Sequence, residues 1–172
     1  MTGGFEGLAA ALNRTGVRYV VIGVAGANYW ARSGHTVFTT QDFDLLLPPD
    51  AGNVLGAWQA AEMEGLALYV GEEPLDRPRD LGLAERVVDQ RALVRATDGR
   101  GLDVDFTLVM AGFEFEPVFA RRRTFLVEGV PIPVASLRDI VASKASAGRE
   151  KDRLFLAAHA EALRSLAEDE PD

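Results

Sequence analysis

Two pairs of aspartates share one spacing. Asp42-Phe43-Asp44 and Asp103-Val104-Asp105 each lie inside an apolar run of β type. Side chains on a strand alternate between its faces, so acids at i and i+2 point one way while Phe43 and Val104 point the other. Either pair alone is what a solvated strand face carries for solubility. Two pairs, in strands that run on into Leu45-Leu46-Leu47 and Phe106-Thr107-Leu108-Val109, read differently. Those strands look central, and like charges side by side in a central sheet repel unless a cation intervenes. The chain has no Cys and only two His, His35 and His159. That removes thiolate chemistry and leaves little for a structural zinc, whereas carboxylate oxygens suit Mg²⁺ or Mn²⁺, which substrate phosphates usually complete.

A phosphate needs its own cradle. Val21-Ile22-Gly23 ends a strand, and Gly23 to Asn28 (GVAGAN) turns into a helix whose first N–H groups lack internal partners. Gly23, Ala25 and Gly26 are small enough for a phosphate to approach that backbone. The chain's two lysines, Lys144 and Lys151, fall close together near the C-terminus. Lys144 offers a point charge, whereas Arg149, Lys151 and Asp152 read as ion pairs between helix neighbours. Arg121-Arg122-Arg123 reads as a solvated turn, Trp30 and Trp58 as core or interface aromatics, and His35 as an incidental loop residue.

The elements that must position these groups follow from period and punctuation. Phe5 to Leu12 is spaced as a helix closed by Gly16, and Val17 to Ile22 is a buried strand. Ala25 to Ala31 is helical, and Thr36 to Leu47 is a loop feeding a strand that Pro48-Pro49 ends. Asp50 to Met63 is a helix with an acidic start, followed by a strand at Leu66 to Val70 and an unassigned loop at Glu72 to Asp80. Arg91 to Ala96 and Leu102 to Val109 flank Asp98-Gly99 as a hairpin. A second hairpin, Phe125 to Val134 around Glu128-Gly129, contains Pro131 and Pro133, which confine it to an edge. Ser136 and Asp139 form a capping pair for a helix to Ala147. Gly148 interrupts it, and Arg149 to Leu166 is a second helix. The sum is an α/β (α+β) fold, a small mixed sheet flanked by helices and followed by C-terminal helices.

Composition bounds the rest. A chain of 172 residues fits one domain over residues 1–172, and 48% hydrophobic residues are enough for a core. No run approaches the ~20 apolar residues of a membrane span, and the N-terminus lacks a signal peptide's basic start, so a cytoplasmic protein is expected. The net charge of -8 disfavours general nucleic-acid binding. Setting aside the acidic tail (Glu168, Asp169, Glu170 and Asp172) and the four paired aspartates leaves as many acids as bases. The surplus acid therefore sits in a terminus expected to fray and in a cluster that divalent ions would neutralise.

The order strand, Gly turn, helix, T-x-D-x-D, then a later acidic strand resembles the DNA-polymerase-β-like nucleotidyltransferase superfamily. The matching positions are Val21-Ile22-Gly23, Thr40 to Asp44, and Val104-Asp105-Phe106. The stretch Leu137 to Asp152 (LRDIVASKASAGREKD) is similar to the ending of small stand-alone bacterial members, including those paired with toxins. The resemblance implies that Asp42, Asp44 and Asp105 bind two Mg²⁺ or Mn²⁺ ions and are catalytic, with Asp103 as the alternative to Asp105. It also implies that Gly23, Ala25, Gly26, Thr40 and Lys144 contact a nucleoside triphosphate, ATP being expected. The reaction would be in-line transfer of a nucleoside monophosphate to a hydroxyl of a protein such as a cognate toxin, a small molecule or an RNA. Two positions depart from the pattern: Val24 stands where the family has Gly or Ser, and Phe38 where many members have Arg. They motivate the alternative of an inactive, antitoxin-like module that binds a partner.

Overall fold

The computed structural model describes residues 4–31 and 42–168. Thr40, His35 and Phe38, with all of the tail but Glu168, lie outside the described residues. Helix α1 (Gly4–Arg14) buries Phe5, Leu8 and Leu12, the positions its helical spacing brings to one face. Strand β1 (Val20–Ile22) is buried throughout, and helix α2 (Gly23–Ala31) begins at the next residue, two positions before the expected start. Strand β2 is Asp42–Leu46, and Asp50 caps helix α3 (Ala51–Met63) by accepting a hydrogen bond from the Asn53 N–H.

Strands β3 (Ala67–Val70) and β4 (Glu73–Pro74) are followed by α4 (Leu81–Gln90), a helix that the sequence reading leaves unassigned. Its signals are present: Asp80 accepts from the Leu83 N–H as N-cap, and Leu83, Ala84 and Val87 are buried at helical spacing. Strands β5 (Val94–Thr97) and β6 (Asp103–Thr107) form the expected hairpin, its loop held by Asp98 Oδ1 accepting from the N–H groups of Arg100 and Leu102. A short helix, α5 (Phe115–Ala120), also lacks a sequence-based assignment. It precedes β7 (Arg123–Val127) and β8 (Val130–Val134).

The described strands form one eight-stranded sheet in the order β4-β3-β5-β6-β2-β1-β8-β7. The sheet is thus larger than expected, and the proline hairpin only half occupies an edge. β7 is the edge strand, while β8, which carries Pro131 and Pro133, lies between β7 and β1. The parallel contact of β8 with β1 is confined to Val21 opposite Val134, where the Ala135 N–H donates to the Val21 carbonyl. No proline N–H is needed there, so interior placement costs no ladder bond.

Helix α6 (Leu137–Ala147) starts at Ser136, whose Oγ accepts from the Asp139 N–H, and ends at Gly148 as expected. The second C-terminal helix is in fact two, α7 (Glu150–Ala158) and α8 (Ala160–Glu168), divided at His159. One apolar core runs from Phe5 in α1 to Leu163 in α8 and takes in Trp30 and Trp58, both buried. Phe43 turns away from the acids and stacks on Phe5, ring centroids 4.2 Å apart.

Candidate active site

β2 and β6 run parallel and in register, with Asp42 beside Asp103 and Asp44 beside Asp105. Cross-strand partners point to the same face, so all four aspartates line one side of the sheet's centre. β1 lies on the other side of β2, with Ile22 opposite Asp44. Gly23 follows at once with φ +69°, a region that suits glycine. A Cβ there would stand 2.7 Å from Asp44 Oδ2, so the turn exists as built only because residue 23 has no side chain.

Asp44 and Gly23 open into a cleft of about 200 Å³ whose wall includes Thr107, Ser143, Lys144 and Arg149. Lys144 thus faces the cleft across from Asp44. Its Nζ is 3.4 Å from Asp152 Oδ1 and 4.8 Å from the centroid of the Phe155 ring. Arg149 donates from Nε to Asp152 Oδ2 at 2.6 Å. This is not the surface pairing that helix spacing suggests, because Asp152 is 1% exposed. Burial alone would raise the Asp152 carboxyl, but the hydrogen bond from Arg149 and the charge of Lys144 outweigh it and hold the carboxyl below its ordinary value. Two basic side chains are thereby anchored at the cleft by one buried acid.

The small residues of the Gly turn divide. Gly23 lines the cleft, whereas Ala25 and Gly26 are buried inside α2. A Cβ on Gly26 would stand 2.9 Å from Ile140 Cδ1 and 3.1 Å from the Val21 carbonyl oxygen. The glycine at 26 is therefore explained by the close packing of α2 on β1 and α6. The arginine run is spoken for as well. Arg121 donates to buried Asp139, Arg122 lies over Phe119, and Arg123 lies over Trp30.

Arg95 is the residue that sequence reading missed. It stands opposite Asp105 in the β5–β6 ladder, so its side chain shares the acidic face. Its Nε donates to Asp105 Oδ1 at 2.8 Å and its Nη2 to Asp105 Oδ2 at 3.0 Å, a bidentate pair. The same Nη2 reaches Asp42 Oδ2 at 3.1 Å, and Nη1 is 3.9 Å from Asp103 Oδ2. The signal was a lone arginine in an apolar strand, at the hairpin position that meets an acid.

Asp44 stands apart from this network, and no side chain among the described residues donates to it. Burial first, then the charges of Asp105 and Asp42, push its carboxyl up to about 6, against the opposing pull of Lys144 and Lys151. Among the described residues no three acids or imidazoles are gathered closely enough to hold a metal ion together. The donor set nonetheless fits a hard divalent cation: carboxylates in register on adjacent strands, one of them half-buried among like charges without a cationic hydrogen-bond partner.

Among the described residues no helix is long and apolar enough to cross a membrane. No protein-family model and no curated protein matches the chain. Solved structures do. A crystal structure of ANT(2″)-Ia in complex with adenylyl-2″-tobramycin is similar at a TM-score of 0.51 and 17% identity, over 96% of this chain and 93% of that one. A solution structure of the antibiotic-resistance factor ANT(2″)-Ia is similar at a TM-score of 0.52 and 18% identity, over 96% and 88%. Both neighbours are aminoglycoside nucleotidyltransferases, and the chain shares their mixed α+β architecture: its fold is nucleotidyltransferase-like.

Proposed function

We propose that this protein is a metal-dependent nucleotidyltransferase that moves a nucleoside monophosphate, AMP in the first instance, from a nucleoside triphosphate to a hydroxyl of a small-molecule acceptor. The observation that carries this reading is the in-register set of Asp42, Asp44 and Asp105 beside a cleft bordered by Gly23 and Lys144. The product seen in one structural neighbour, an adenylylated tobramycin, supports AMP as the group and an aminoglycoside-like hydroxyl as the acceptor.

Asp42, Asp44 and Asp105 would hold Mg²⁺ or Mn²⁺, which neutralises phosphate charge and stabilises the entering and leaving oxygens of an in-line displacement. The chain's own groups do the positioning. Gly23 lets the triphosphate approach the β1–α2 turn, and the first N–H groups of α2 favour negative charge there. Lys144, held by Asp152, faces the departing pyrophosphate. Asp105 accepts the acceptor hydroxyl's proton as that oxygen bonds to the α-phosphorus, and the α–β bridging oxygen leaves with the electron pair of the broken P–O bond.

The test uses labelled ATP, Mg²⁺ and a panel of aminoglycosides, comparing wild type with Asp42→Ala plus Asp44→Ala. Wild type is expected to label an acceptor and the double variant to fall at least a hundredfold; equal labelling would overturn the assignment. A second reading, a partner-binding module with a degraded site, is favoured by the Arg95 ion pairs together with Val24 and Phe38. Calorimetric titration with Mg-ATP separates the two. Binding that disappears in the aspartate variant excludes the degraded site, and no binding to wild type supports it.

A further inference from the structure

The acidic face already contains a cation. We propose that Arg95 is a built-in competitor for the second divalent ion, holding Asp105 and one oxygen of Asp42 in place of that ion, so that the protein by itself binds a first ion, centred on Asp44, more tightly than a second. This inference rests on the metal-dependent reading above and deepens it.

Three features of the geometry support it. Arg95 Nη2 lies between Asp42 Oδ2 and Asp105 Oδ2, at 3.1 and 3.0 Å. Both are oxygens that a second divalent ion would need as donors, so the guanidinium competes for them. Nε occupies the other oxygen of Asp105, so both oxygens of that carboxylate already accept from Arg95. With Nη1 turned towards Asp103, one guanidinium faces three of the four aspartates and leaves only Asp44 outside its reach. Arginine carries its charge at every accessible pH, so it repels a divalent ion permanently and cannot be relieved by deprotonation. The contact is also movable. The Arg95 side chain is 38% exposed, so an ion arriving with a bound triphosphate can displace it towards solvent.

The test measures metal rather than catalysis. Mn²⁺ is titrated into nucleotide-free protein, and the free ion is followed by electron paramagnetic resonance. Wild type is expected to bind one ion tightly and a second weakly, whereas Arg95→Met should bind the second at least tenfold more tightly. Arg95→Met combined with Asp105→Asn should lose that gain, because the released carboxylate is then missing. Superimposable curves for wild type and Arg95→Met would overturn the proposal, as would a gain that survives in the double variant. Circular dichroism checks that the variants are folded. Should Arg95→Met fail to fold, Arg95→Lys serves instead: it keeps a charge without the planar fork, and its second ion is expected to bind several-fold more tightly than in wild type. A lysine variant identical to wild type would count against the proposal. Failure of the underlying reading looks different. In that case Asp42→Asn plus Asp44→Asn would leave the first ion's binding undiminished.

Discussion

At the scale of single residues, the four aspartates are chemically alike but differently placed. Asp105 and Asp42 share the charge of Arg95, while Asp44 is half-buried among acids and without a donor among the described residues. Its carboxyl, at about 6 in the folded chain against 3.8 ordinarily, makes a prediction with a definite sign. Between those values the folded protein binds more protons than the unfolded one, so stability falls as pH rises through the window and stays lower above it. In metal-free protein, Asp44→Asn is expected to stabilise by roughly 1–3 kcal/mol at pH 8, a difference that shrinks towards zero near pH 4. Urea denaturation at the two pH values measures it. An asparagine variant that is less stable at pH 8, or a pH-independent difference, would count against the placement of Asp44. The same residue that binds metal in the proposed reaction would then be a net cost to the empty fold, as buried functional charges often are.

At the scale of elements, the site depends on how closely α2 approaches the sheet. Gly26 is where α2 meets Val21 of β1 and Ile140 of α6, and Gly23 is where the chain turns past Asp44. Gly26→Ala is expected to cost about 1–3 kcal/mol, because the Val21 carbonyl is backbone and cannot move aside cheaply. Ile140→Val removes the Cδ1 atom that the new methyl would meet, so the double variant should recover part of the loss. Thermal melts of the two single variants and the double variant give the coupling. Strict additivity of the two losses would mean that α2 and α6 do not meet at this point. The C-terminal elements serve the site in a different way. The α6–α7 corner buries Asp152 between Lys144 and Arg149, so a stretch of chain distant from the β2 acids sets the position of the cleft's cations.

At the scale of the whole molecule, the central acidic strands β2 and β6 are flanked by β1 and β5, and among the described residues one apolar core extends from α1 to α8. That continuity argues for one cooperative unit. Urea unfolding followed by tryptophan fluorescence, which reports buried Trp30 and Trp58, should coincide with unfolding followed by far-ultraviolet circular dichroism. Separated midpoints would instead divide the chain. Much of this architecture is legible in local sequence, because strand alternation, helical spacing, the Ser136 cap and the Asp98-Gly99 turn are properties of neighbouring residues. For that reason the sequence alone determined that Asp42 and Asp44 share a face, and likewise Asp103 and Asp105. It did not determine that the two faces are one. That was decided when β2 and β6, far apart in the chain, paired in parallel at a register that only long-range burial selects. Tertiary structure also moved β8 into the sheet interior and, through the β5–β6 ladder, set Arg95 among the acids. Which charge neutralises a carboxylate depends on distances of a few ångströms between strands, and no spacing along the chain encodes those distances.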